Sequence, residues 1–127
     1  MKDFTLWNQV KAELEERNIP VDFREREIWF CSLGLNLGHE QDGKHERSLR
    51  PVIVVKKFNN DIFWGVPLSH VQKTGLYYHP IVWDNNNSSA IISQLRLLDQ
   101  KRLFRKIGIV SREEFMDIKI KAIKLLL

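Results

Sequence analysis

Six short apolar segments constrain this chain more than any other feature. They cover residues 28–33, 51–55, 62–68, 76–83, 90–98 and 106–110, none longer than nine residues. They are rich in β-branched and aromatic side chains, and turn-forming residues interrupt them, as in strands of a small β domain. Pro51 opens its segment, where a missing N–H does least harm, and Pro80 places its segment at an edge or a bulge. Asn59-Asn60-Asp61 turns 51–55 back onto 62–68 as a hairpin, and residues 84–88 read as a plain turn. Five or six such strands closed by one C-terminal helix predict a small, partly open barrel, α+β but mostly β.

Two helices flank the strands. Over residues 5–18, Leu6, Trp7, Val10 and Leu14 recur at the spacing of one helical face, and Pro20 ends the run. At the other end Ser111-Arg112-Glu113-Glu114 is a capping box, in which the Ser111 hydroxyl accepts from the Glu114 amide and Glu114 can reach back. The helix it opens, 112–126, sets Phe115, Ile118, Ala122 and Leu126 along one stripe. Residues 34–49 form a polar loop with three glycines and two histidines. A connection that long is a natural place for chemistry.

Several classes are excluded. The 127 residues suffice for one ordinary domain, and 43% hydrophobic with 28% charged is a globular composition. The longest stretch free of Asp, Glu, Lys and Arg is the twelve residues 28–39, short of the roughly 18 a bilayer requires. Met1-Lys2-Asp3-Phe4 does not open a secretory signal, so the expected compartment is the cytoplasm. Cys31 is the only cysteine, which rules out an internal disulfide and a cysteine-rich zinc site. Net charge is +4, but residues 1–27 carry five basic and seven acidic groups, leaving the rest strongly basic. Such a surface attracts a polyanion: RNA, DNA or an acidic partner segment.

Gly38-His39-Glu40-Gln41-Asp42-Gly43, followed by Arg50-Pro51-Val52-Ile53-Val54-Val55, resembles the PemK/MazF-like toxins, whose members read roughly G-x-E-Q-x-G-x-R-P-V. Glu27-Ile28-Trp29 resembles that family's opening strand. Ser93-Gln94-Leu95-Arg96-Leu97-Leu98-Asp99 with Arg102-Leu103 resembles its Q-x-R-x-x-D…R-L segment. Lys106-Ile107-Gly108 and Ser111–Glu114 resemble the lead into its last helix. The resemblance implies an SH3-like (PemK/CcdB-like) barrel over residues 26–127, preceded by an extra helical extension over 1–25. It further implies a homodimeric endoribonuclease toxin of a type II toxin–antitoxin pair that cuts single-stranded RNA without metal or cofactor. Its partner would be an acidic antitoxin, with no membrane involved.

Cleavage by 2′-OH attack requires proton removal, charge stabilisation at phosphorus and proton delivery to the leaving oxygen. The resemblance assigns Arg50 and Ser69 to catalysis, with His39 as an auxiliary group whose imidazole ordinarily titrates near ~6.5. Glu40, Gln41, His45, Arg47, Gln94 and Arg96 are the candidate RNA contacts; Gln94 and Arg96, two apart on a strand, would share a face. The chain departs from the family in the six residues 44–49 between loop glycine and Arg50, where one is usual. Ser93 and Ile91 also stand where some members carry an acidic residue and an arginine. The residues alone fit a second reading: a non-catalytic nucleic-acid- or protein-binding module on the same barrel.

Overall fold

A computed structural model describes residues 20–34 and 49–127. The expected helix at 5–18 and most of the polar loop lie outside the described residues. The described chain forms β1 (Glu27–Ser32), β2 (Leu49–Lys57), β3 (Ile62–Ser69), β4 (Tyr78–Trp83), β5 (Asn86–Ile91), β6 (Arg96–Asp99), β7 (Leu103–Ile109) and α1 (Arg112–Leu126). The strands join in the order β4-β5-β3-β2-β1-β7, with β6 also on β3. Every pairing is antiparallel. The architecture is therefore a mostly β antiparallel sheet with a C-terminal helix.

β2 is central and buried on both faces. Ile53 and Val55 point into one apolar cluster with Ile28, Leu68, Ile81, Phe115 and Ile118, while Val52 and Val54 point into another with Phe23, Trp29, Phe63 and Leu98. Burial on both sides explains its unbroken apolar run. The packed body begins before β1: Phe23 is fully buried, meets the Phe63 ring in a tilted contact with centroids 5.1 Å apart, and carries the Lys57 ammonium over its own ring. Pro80 lies in β4, an edge strand, as its missing donor requires.

Two expectations about 84–98 are corrected. Asn86–Ser88 belong to a strand, because Asp84 and Asn85 alone make the turn, with φ of 46° and 61°. Left-handed values at both positions define a two-residue hairpin whose twist matches its strands, and Asn and Asp tolerate them well. The predicted strand 90–98 is broken by a 3-10 turn at Ile92–Gln94. The physical reason is that β3 changes neighbour along its length. Leu68 and Ser69 pair with β5, whereas residues 62–65 pair with β6. Buried Ile92, its N–H bonded to the Tyr77 carbonyl, anchors the corner between them.

The cap on α1 forms as expected: Ser111 Oγ accepts from the Glu114 N–H at 3.2 Å. The Glu114 carboxylate, however, turns to His79, 3.3 Å away on β4. Phe115 and Ile118 are buried and Ala122 is half-buried, but Leu126 is 82% exposed. Among the described residues none covers the last turn of the helix.

Candidate functional site at the ends of β2 and β3

Arg50 is the second residue of β2 and Ser69 the last of β3. The register Val52↔Pro67, Ile53↔Val66, continued by two residues, sets Arg50 level with Ser69. Arg50 is only 4% exposed and donates through Nη2 to the Leu68 carbonyl at 3.2 Å. Ser69 is buried, and its Oγ accepts from the Val71 N–H at 3.3 Å, which leaves the hydroxyl hydrogen able to donate. Both line one cleft of about 420 Å3, together with His70, Phe30, Trp83 and Asn87. A guanidinium shielded from water at the wall of a cleft acts more strongly on an anion than one on an open surface. Its planar fork of donors also matches phosphate oxygens.

The structure thus brings together two of the three residues assigned to catalysis. The third, His39, and the candidate RNA contacts Glu40, Gln41, His45 and Arg47 lie outside the described residues. The ends of their segment are nonetheless fixed: Ser32 pairs with Leu49, beside Arg50. Sequence reasoning missed His70. It follows Ser69 directly and opens on the same cleft, but the signal was only adjacency at a strand end.

Gln94 and Arg96 do not share a strand face, because Gln94 closes the 3-10 turn and Arg96 opens β6. Arg96 pairs with Gly65, four residues or about 13 Å along β3 from Ser69. Neither lines the cleft. Arg96 belongs instead to a basic group near the end of β1. There Arg102 donates to the Ser32 carbonyl at 3.1 Å. Burial pushes the Cys31 thiol up to about 12, against the opposing pull of the Arg102 and Arg96 charges. Cys31 is thus an inert core residue.

Away from the cleft, Glu27 is a buried carboxylate held by three donors: Lys106 Nζ at 2.9 Å, Trp29 Nε1 at 3.0 Å and the Arg24 N–H at 2.8 Å. Burial alone would raise its pKa, but the bonds from Lys106, Trp29 and Arg24 together hold it below the ordinary value. His79, Glu114 and Asp117 bring metal-capable atoms within 4.8 Å of one another on β4 and α1. The His79–Glu114 bond already occupies part of that set, and Lys121 bonds to the neighbouring Tyr78 carbonyl.

Known proteins share this fold. The Mycobacterium tuberculosis toxin MazF-mt6 superposes with a TM-score of 0.61 at 13% identity, covering 80% of this chain and 96% of its own. MazF from Deinococcus radiodurans gives 0.65 at 15% identity, over 83% and 98%. A mycobacterial endoribonuclease in complex with its cognate antitoxin gives 0.65 at 13% identity, over 83% and 95%. At such identities the likeness shows the fold. No curated protein matches in sequence. Residues 24–126, nearly the whole described chain, match the family profile of PemK-like, MazF-like toxins of type II toxin–antitoxin systems, and to that family the chain belongs.

Proposed function

We propose that this chain is a metal-independent endoribonuclease toxin that cuts single-stranded RNA by attack of a 2′-OH on the adjacent phosphorus. The observation that carries the reading is the meeting of Arg50 and Ser69, level with each other, in one cleft. Arg50 stabilises the charge that develops on the phosphorane oxygens. Ser69 donates to the same group or to the leaving 5′-oxygen. The 2′-OH proton passes to a base and a proton returns to the 5′-oxygen, giving a 2′,3′-cyclic phosphate and a 5′-OH end. His39 and His70 are the imidazoles available for those transfers.

The family supplies the rest of the reading. The chain acts as a cytoplasmic homodimer on an SH3-like barrel carrying an additional N-terminal helix. An acidic antitoxin segment competes with RNA for the basic surface; the structurally similar mycobacterial endoribonuclease forms a complex with its cognate antitoxin. Gln94 and Arg96 serve RNA at the rim, away from the reacting phosphate. Among the described residues no helix is long and apolar enough to cross a membrane. Incubation of the full chain with a mixed single-stranded RNA pool in EDTA tests the reading. Discrete fragments ending in 2′,3′-cyclic phosphate are expected; intact but retarded RNA would instead identify a binding module.

A further inference from the structure

The cleft has a second wall that the chemistry at phosphorus does not use. Trp83, the last residue of β4, is half-buried and lines the cleft with Phe30, Asn86 and Asn87. The indole is fixed from two sides. Its Nε1 donates to Ser88 Oγ at 3.2 Å. Its six-membered ring lies on Gly108 of β7, where a Cβ would stand only 2.7 Å from Cε3 and 3.1 Å from Cζ3. β4 and β7 are the two ends of the sheet. The glycine therefore lets those ends approach, and the indole fills the place where they meet.

We infer that the Trp83 wall is a nucleobase subsite, holding the base next to the phosphate that Arg50 contacts. This rests on the reading of the cleft as an RNA site and adds what determines sequence preference there. Single-stranded RNA is held by a cationic group on its backbone and by aromatic surface against its bases, and Arg50 and Trp83 bring both to the lining of this one cleft. Its volume of about 420 Å3 sits low in the range of roughly 300–1,000 Å3 for small-ligand sites. That accommodates one nucleotide unit, not a run of stacked bases. Asn86 directs its amide nitrogen to the Asp84 carbonyl at 3.1 Å. Asn86 pairs with Trp83 and so lies on the same face of the strands, and its carboxamide oxygen remains an acceptor for a base edge.

The test begins by mapping the cleavage sites of the full chain in an RNA pool. Short oligonucleotides around one site are then cut under single-turnover conditions, with each flanking base in turn replaced by an abasic residue. Wild type should lose about tenfold in rate at one abasic position, the scale of an aromatic–base stack. Trp83→Leu should lose a similar factor on intact RNA and become indifferent to that position, while Trp83→Phe keeps most of the rate and the sensitivity. Asn86→Ala, at an exposed site, should change which base is preferred there. A folded Trp83→Leu protein that still loses tenfold at the same abasic position overturns the subsite and leaves the nuclease standing. Should Trp83→Leu fail to fold, an unaltered base preference in Asn86→Ala overturns it equally. A wild-type chain that cuts no RNA removes both readings.

Discussion

Two buried charges stand toward opposite ends of the β1–β2 pair, and their surroundings differ. Glu27 opens β1 and is closed on every side the structure describes: an ammonium, an indole N–H and a backbone N–H all point at its carboxylate. Arg50, opposite Cys31 near the other end of the pair, is equally withdrawn from water but borders an open cleft. A buried ion surrounded by its own donors contributes to holding the fold. One that faces accessible space can serve a ligand carrying the opposite charge. The contrast predicts that substitutions at the two positions affect different measurements.

The largest effect should come from Arg50→Ala, with cleavage falling by about 10²-fold or more, the scale of losing one preorganised donor to an oxyanion. Stability should change little. The substitution removes the buried charge itself rather than stranding it, and both Leu68 and position 50 line the cleft. Arg50→Lys keeps the charge but loses the planar fork, so it should recover only part of the rate. Near-wild-type cleavage by folded Arg50→Ala would erase the distinction between the two charges.

Glu27→Gln should do the converse. Unfolding free energy should drop by about 1.5–3 kcal/mol, the range for hydrogen bonds to a charged group, with cleavage unchanged per folded molecule. The pH dependence follows from the lowered pKa. The stabilisation is fully present above the ordinary value of 4.5 and is lost as pH falls through the lower folded value. Urea titrations across acid pH should therefore show wild type approaching Glu27→Gln at low pH. Parallel curves would mean that the charge of Glu27 contributes nothing.

Ser69 sharpens the cleft side of the comparison with a smaller effect. Ser69→Thr keeps the hydroxyl and should retain activity, whereas Ser69→Ala should slow cleavage by about tenfold, a step equivalent to one modest hydrogen bond. Equal rates for the two variants would reduce Ser69 to a turn residue serving Val71.

How much of this was legible in the sequence depends on range. Pro80 and Ser111 each act within a few residues, and each marked its element correctly; Pro51 does not open its strand, because β2 starts at Leu49, which already pairs with Ser32, and Pro51 itself pairs with Phe30. The corner at Ile92–Gln94 was not legible, because it exists only where β3 exchanges β5 for β6. The run Asp84–Ser88 reads as turn chemistry throughout, yet two left-handed residues suffice and the ladder claims the rest. At the site, Arg50 and Ser69 were found through the family pattern, since nothing local distinguishes an arginine before a strand proline. Trp83 and His70 carry no such pattern. Trp83 reaches the cleft because Gly108, 25 positions away, lacks a side chain, and no window along the chain contains both.

Arg96 gives the smallest effect and tests whether cationic charge alone explains Arg50. Both are arginines on strands that flank β3, Arg50 on β2 and Arg96 on β6, and both act on a polyanion through the same Coulomb attraction. If attraction were the whole of Arg50's role, removing either should cost comparable affinity. Arg96, however, is half-buried outside the cleft, at the level of Gly65, where water and salt screen its charge. Arg96→Ala should therefore weaken RNA binding a few-fold at low salt and lower the salt slope by about 0.7, the value for one single-strand phosphate contact. The rate at saturating RNA should stay unchanged. Binding titrations at several salt concentrations, paired with single-turnover rates, separate the two quantities. A fall in the saturated rate matching that of Arg50→Ala would place Arg96 at the reacting phosphate, and the cleft would then have to close over β6 when RNA binds.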